Sequence, residues 1–458
     1  MTQRYDAIVI GAGQAGPPLA RRLSAAGMSV AVVERGAFGG TCVNTGCIPT
    51  KTLIASAYTA HIARRAADFG VVVNGSVCVD MARVKARKDA ISGQSRSGVE
   101  QSLRTLDKCV VYQGHARFCG PRQVEVGRAV LTAERIFINV GARASVPKLP
   151  GLDQVAYLTN SSMMALDFLP RHLVIVGGSY VGLEFAQMYR RFGGEVTVVE
   201  MAPRILHRED PDVSAGISQI LEREGINLRV NAECIRVAKS GDDVLVGVNC
   251  KDGPPEINGS HLLLAVGRQP NTDDLGLDRA GVTKDERGYI LVDDELRTNV
   301  PGVWALGECN GKGAFTHTAY NDFEIVAANL LDGGARRVSD RITAYALYVD
   351  PPLGRAGLTE DQVRRTAKRA LVATRPMSRI GRAVEKGETQ GFIKMLVDAE
   401  SEQILGAAFL GIGCDEVIHG ILDMMYAKAP YTMLQRTVPI HPTVSELVPT
   451  LLGDLRPL

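Results

Sequence analysis

Apolar residues first gather at Tyr5–Ile10 (YDAIVI), a short β-rich run that predicts a buried strand. The run stops at Gly11-x-Gly13-x-x-Gly16. A helical stretch follows to about Ala26, then a second apolar run that ends in Glu34. The same order returns within Arg171–Arg204: an apolar run, Gly177-Gly178-Ser179-x-x-Gly182, a helical stretch, an apolar run and Glu200. Glu34 stands 23 residues after Gly11, and Glu200 stands 23 after Gly177. Strand, glycine turn, helix, strand and acid in this order predict a dinucleotide-binding unit, here present twice. The first glycine permits the tight turn, the second lets a pyrophosphate reach the backbone, and the third lets helix pack on strand. The helix N-terminus faces the anion with free N–H groups. Pro17 and Pro18 fall in the first turn, where the N–H groups have no intrahelical partner. Candidates for one nucleotide are Gly11, Gly13, Gln14, Ala15, Gly16 and Glu34. For a second they are Gly177, Gly178, Gly182 and Glu200, with Ser179 in the middle glycine's role. Glu200 would repel a 2′-phosphate, which favours NADH, although Arg204 lies close in sequence and keeps NADPH as the alternative.

Elsewhere, Val79–Leu106 predicts a long polar helix whose basic residues form a solvated face. Ser401–Lys428 predicts a strand followed by an amphipathic helix, with Met424 and Met425 in the packing. At 458 residues the chain is too long for one ordinary core. Apolar residues make up 45% and charged residues 22%, as in soluble globular proteins. A formal net charge of +2, spread along the chain, gives no nucleic-acid arm. No apolar run is long enough to span a membrane, and no leader pattern precedes Tyr5. Nine scattered cysteines do not form a secreted disulfide framework, which points to a reducing cytoplasm. Cys78, Cys109, Cys119, Cys234, Cys250 and Cys309 stand alone and read as small apolar residues.

Two cysteines do not stand alone. Cys42 and Cys47 lie in Gly39–Lys51 (GGTCVNTGCIPTK) with four residues between them. A zinc site would want a second short-spaced pair, and none lies near. A structural disulfide is uncommon in a cytoplasmic enzyme. A redox pair needs a low-pKa thiolate, and Pro49 marks the start of a helix whose dipole would favour one. Glycines at 39, 40 and 46 leave room for a flat ring against the sulfurs.

The stretch Gly39–Lys51, set after a first nucleotide unit, resembles the class I pyridine nucleotide–disulfide oxidoreductases: glutathione reductase, dihydrolipoamide dehydrogenase and mercuric reductase. The resemblance spans nearly the whole chain. Phe137–Pro147 is similar to that family's passage from its FAD to its NAD domain, and Leu262–Leu277 to the return. Thr298–Gly311 resembles the second FAD motif, and Gly413–Gly420 and Ile440–Glu446 resemble the dimerisation domain. The resemblance implies an α/β fold of two Rossmann-like dinucleotide-binding domains plus a C-terminal α+β dimerisation domain. Residues 1–147 and 272–338 would bind FAD, 148–271 NAD(P), and 339–458 would form the interface. It implies a homodimer with shared active sites. Cys47 matches the flavin-side charge-transfer thiol and Cys42 the interchange thiol. Lys51 and Glu184 match an ion pair beneath the flavin, and Tyr180 a tyrosine that covers it until nicotinamide arrives. His441 and Glu446 match an acid/base pair supplied by the other subunit. Gly40, Thr41, Gly141, Gly267, Arg268, Gly307 and Glu308 complete the implied cofactor contacts, and no resident metal is implied.

Departures bear on substrate. Glu308 stands where the second FAD motif has aspartate. The chain lacks the C-terminal vicinal cysteines of mercuric reductases, its last cysteine being Cys414, yet Gly313–Phe323 is most similar to mercuric-reductase-like members. Arg21 matches one substrate-binding arginine of glutathione reductases. Glu324 falls where another would be and is expected to set an acid facing the disulfide site. The implied function is hydride transfer from NADH through FAD to Cys42–Cys47 and on to a low-molecular-weight disulfide, an oxidoreductase acting on sulfur groups. The alternatives are a metal-ion (Hg or Cu) or quinone reductase using the same dithiol, and a flavin-bound redox sensor without turnover.

Overall fold

The computed structural model describes residues 2–249, 254–366 and 368–458, without the side chain of Cys234. Cys250 therefore lies outside the described residues. The first unit is built on parallel strands Thr2–Ile10, Val30–Glu34, Cys109–Gln113 and Ala129–Ile138, with Thr2–Ile10 between the second and the fourth. Val303–Ala305 returns much later to pair in parallel with Ala129–Ile138, so the unit is assembled from two distant segments. Ala7, Ile8 and Val9 are all fully buried, because helices cover one face of the parallel sheet and further strands the other.

The second unit repeats that order. Strands Asn227–Arg229, Glu195–Val199, His172–Val176 and His261–Leu264 lie side by side, all parallel. The two crossings between the units meet: Ala142–Ala144 pairs antiparallel with Arg268–Pro270, forming a two-stranded ribbon at the junction. The C-terminal domain is an antiparallel sheet on which the helix Cys414–Tyr426 packs. The expected strand and helix there, and the polar helix at Met81–Arg104, are all present.

The helix Tyr180–Phe192 ties the three parts together. Ten of its residues are buried, so it lacks a wet face. Leu183, Phe185 and Met188 share one apolar cluster with Leu53 and Ala57 of the first unit and Leu347, Leu353 and Leu410 of the C-terminal sheet. Each buried large side chain contributes on the order of 2 kcal/mol, so this cluster holds the cavity walls in register.

The lone cysteines divide. Cys309 is fully buried, and Cys109 and Cys119 are half-buried. Cys78 is exposed on a loop beside Ser76, so the expectation of a packed apolar residue fails there.

Candidate functional site

A cavity of about 840 Å³ runs between the first glycine turn, the cysteine segment and the start of the helix Tyr180–Phe192. Its walls include Gly11, Gly13, Gln14, Glu34, Gly40 and Thr41. Gly11 and Gly177, which open the two turns, have φ of +102° and +117°. A Cβ would lie 2.2 Å from the Asn139 carbonyl at the first and 2.3 Å from the Ala265 carbonyl at the second. Both positions therefore demand glycine for the fold itself. Gly13 differs: a Cβ there would meet protein no closer than 3.4 Å, at Asn139 Nδ2. That space is open to a bound group, which is what a pyrophosphate cradle requires. Ala15 and Gly16 lie behind the turn, buried in the helix–strand packing.

The two acids superpose in role. Glu34 accepts from the backbone N–H groups of Ala12 and Gly36, each at 2.7 Å. Glu200 accepts from Gly178 at 2.7 Å and Ala202 at 2.8 Å. Each carboxylate uses one oxygen per bond and keeps acceptor capacity for ribose hydroxyls. The Glu200 turn stands apart from the cavity, as a second nucleotide site would.

Cys42 lies in the short helix Gly40–Asn44, and Cys47 opens the helix Cys47–Arg64. The two thiols are free and hydrogen-bonded to each other. Cys47 is lowered to about 6, first by the hydrogen bond from Cys42, then against burial by Thr316 and Lys51. Cys42 is pushed up, by its hydrogen bond to Cys47 and by burial. Thr316 Oγ1 is 3.2 Å from Cys47 Sγ, and Thr316 is the first residue of the helix Thr316–Leu331. A hydroxyl and a helix N-terminus thus meet the ionised sulfur.

Lys51 Nζ lies 2.9 and 2.8 Å from the two carboxylate oxygens of Glu184, bringing the two units together. The same ammonium sits 4.5 Å from the Tyr348 ring centroid, and Tyr348 N–H donates to Glu184. Tyr180 lines the cavity, and its hydroxyl donates to Glu209. Gly141, Arg268, Gly307 and Glu308 line the cavity as well, whereas Gly267 lies just outside it. Glu308 forms a 2.6 Å ion pair with Arg268, whose Nη2 also bonds the Ala142 carbonyl. The extra methylene relative to aspartate is spent on reaching the ribbon arginine.

His441 Nδ1 is 2.9 Å from Glu446 Oε2, so the two are brought together. They are not brought to the cysteines of the same chain: His441 is 79% exposed and absent from the cavity. Glu324 does not face the disulfide site. It accepts from Asn321, pairs with Arg336 at 3.5 Å and lies outside the cavity lining. Arg21 is exposed on the first helix.

Sequence reasoning passed over Asn139, Thr316 and Asp322. Asn139 packs between Gly11 and Gly307, joining the two cofactor motifs. Asp322 is buried and accepts from Gly307 N–H at 2.8 Å and Asn310 at 3.0 Å, while Arg341 neutralises it. Only Thr316 had a usable signal, its place before a long helical run.

One dinucleotide turn and a paired thiol in a cavity, with a second dinucleotide turn beside it, define a flavin- and pyridine-nucleotide-dependent disulfide oxidoreductase. The chain belongs to the family "Pyridine nucleotide-disulphide oxidoreductase", matched over residues 5–322, with that family's dimerisation domain over 343–452. It is 35% identical over 451 residues to the "Probable pyridine nucleotide-disulfide oxidoreductase RclA" of Escherichia coli (strain K12), covering 97% of each chain. It is 34% identical to a mercuric reductase of Streptomyces lividans, over 96% of this chain and 94% of that one. The solved Cu(II) complex of the HOCl-induced flavoprotein disulfide reductase RclA from Escherichia coli superposes with a TM-score of 0.90 at 34% identity, covering 98% of this chain and 99% of that one. FAD and NAD(P)H are accordingly this chain's cofactors, and its dimerisation domain makes it a homodimer. No described helix is long and apolar enough to cross a membrane.

Proposed function

We propose that the chain is a cytoplasmic NADH:disulfide oxidoreductase whose Cys42–Cys47 pair reduces a low-molecular-weight disulfide. The observation that carries this reading is the split of the two thiols: Cys47 is lowered to about 6 beside Thr316 and Lys51, while Cys42 is raised. Bound FAD would supply the chemistry between NADH and the cysteine pair, returning an electron pair to its disulfide. Residues 1–147 with 272–338 hold that group and 148–271 the nicotinamide nucleotide. Residues 339–458 form the dimer interface.

Cys42 retains its proton, so it needs a base. His441 of the second copy, oriented by Glu446, takes that proton. The Cys42 sulfur attacks one sulfur of the substrate disulfide, forming a mixed disulfide and expelling one thiolate, which His441 protonates. The Cys47 thiolate then attacks the Cys42 sulfur, closing Cys42–Cys47 and releasing the second thiolate, which takes a proton from water. One dithiol is oxidised and one disulfide reduced. Arg204 Nη2 is held by the carbonyls of His207 and Glu209 at 3.1 and 3.4 Å, which supports NADH over NADPH.

Cys42→Ser should retain FAD and lose disulfide turnover; unchanged turnover sinks the reading. A metal-ion reductase is the second reading, favoured by the copper complex of the Escherichia coli relative and by the mercuric reductase relatives. NADH oxidation with Hg²⁺ or Cu²⁺, set against a panel of disulfides, separates the two.

A further inference from the structure

Glu209 lies nine residues beyond Glu200 and does not line the cavity. Its side chain is fully buried. Oε1 accepts from two phenols, Tyr180 at 3.0 Å and Tyr345 at 2.6 Å. Oε2 accepts from Arg355 Nε at 3.1 Å and Nη2 at 2.5 Å. Arg355 is 1% exposed and extends to Asp210, which Lys394 also reaches at 3.0 Å. Tyr345, Arg355 and Lys394 all come from the C-terminal sheet, whereas Tyr180 and Glu209 belong to the second unit.

A buried carboxylate persists only when paired and hydrogen-bonded. Arg355 therefore fixes Glu209, and Glu209 fixes the Tyr180 phenol. The Tyr180 ring meets Tyr345 edge-on at 5.5 Å and Phe315 edge-on at 6.3 Å, so its position is set from two sides. That ring borders the cavity at the first residue of the helix that follows the second nucleotide turn. On the nucleotide reading above, a nicotinamide that reaches the cavity from that turn would meet this ring and have to move it. Moving Tyr180 away breaks one hydrogen bond, yet Tyr345 still satisfies Glu209 Oε1. No buried acceptor is stranded, which is the expensive outcome for a carboxylate.

We propose that Glu209 is a positioning residue for nucleotide entry: it tethers the Tyr180 phenol in the closed position, and Tyr345, by sharing the same oxygen, sets how firmly the tether holds. The inference rests on the NADH reading above.

The test is NAD⁺ binding to the FAD-loaded, oxidised protein, followed by calorimetry without turnover. Tyr180→Phe keeps the ring and removes the tether, so NAD⁺ should bind roughly threefold to tenfold tighter, the range of one net hydrogen bond. Tyr345→Phe leaves Oε1 to Tyr180 alone, so NAD⁺ should bind about twofold to threefold weaker, part of one hydrogen bond. In the double variant the Tyr345 effect should vanish, because no tether remains to be strengthened. Shifts of the same sign, no shift in either single variant, or a Tyr345 effect that persists in the double overturns the tether. A wild-type protein that binds no NAD⁺ overturns the nucleotide reading itself, and the tether with it.

Discussion

Thr316 Oγ1 stands 3.2 Å from Cys47 Sγ, a bond between the first residues of two helices 269 positions apart. It lowers Cys47 further, behind the larger effect of the hydrogen bond from Cys42. Thr316→Val removes the donor while keeping the shape. A hydrogen bond to a charged group is worth about 1.5–3 kcal/mol, so the Cys47 ionisation should rise by roughly one to two pH units. The thiolate is lost as pH falls through the Cys47 value of about 6, so near neutral pH the variant holds less thiolate and reduces disulfides more slowly. Thiolate absorbance of the reduced protein reads this directly, with Thr316→Ser expected to behave as wild type. An unmoved titration step in Thr316→Val would remove Thr316 from the account.

Lys51 and Glu184 form the second charged contact of the cavity, and one of its partners is buried. Lys51→Met leaves the Glu184 carboxylate without its cation. Breaking a buried pair from one side costs about 3–5 kcal/mol; because Lys51 is 34% exposed, a loss near 2 kcal/mol is expected here. Lys51→Met with Glu184→Met should recover most of that stability, since both charges are gone. Cys47 ionisation should still rise in Lys51→Met, because Lys51 lowers it through space. Denaturant melts and the thiolate titration separate the two effects. A double variant no more stable than Lys51→Met alone would count against an electrostatic cause.

How much of this was legible beforehand follows from the range of each interaction. The glycine turns, Glu34, Glu200 and the Cys42–Cys47 pair are local patterns, and the sequence reading placed them in strand–turn–helix order that the fold reproduces. Glu209, Asp322 and Thr316 act through partners 12 to 269 positions away, which no local period encodes. Glu324 was expected to face the disulfide site; its helix instead turns it toward Arg336, a loop partner that position along the chain does not reveal. Cys78 was read as a small apolar residue, yet it is exposed, because its loop carries no core-facing period to bury it.

Gly11 and Gly13 are two residues apart and should fail in different ways. A Cβ on Gly11 would sit 2.2 Å from a backbone carbonyl at a φ of +102°. Gly11→Ala should therefore destabilise the chain itself, by roughly 1–3 kcal/mol or more, with or without cofactor. A Cβ on Gly13 meets Asn139 alone, at ordinary contact distances of 3.4 to 3.9 Å. Gly13→Val should leave the apoprotein melting within a few degrees of wild type but retain much less FAD through gel filtration. Equal loss of apoprotein stability in both variants would mean that the Gly13 space serves the fold rather than a bound group.

The separation of His441 from the cysteines of its own chain makes a quantitative case for shared sites. His441 is 79% exposed and bonds only to Glu446, while Val438 and Ile440 beside it are 97% and 79% exposed. Large apolar side chains flanking a histidine in this way suit burial against a second copy. Neither Cys42→Ser nor His441→Ala homodimers should reduce disulfides at more than a small fraction of the wild-type rate. In a heterodimer of the two variants, one site carries both defects, while the other combines an intact Cys42 with an intact His441. Random reassociation makes half the dimers mixed, each with one working site of two, so about a quarter of wild-type activity should return on mixing. Steady-state turnover after co-refolding equal amounts measures it. If each site drew Cys42 and His441 from one chain, every site in the mixture would carry a defect and mixing would restore nothing.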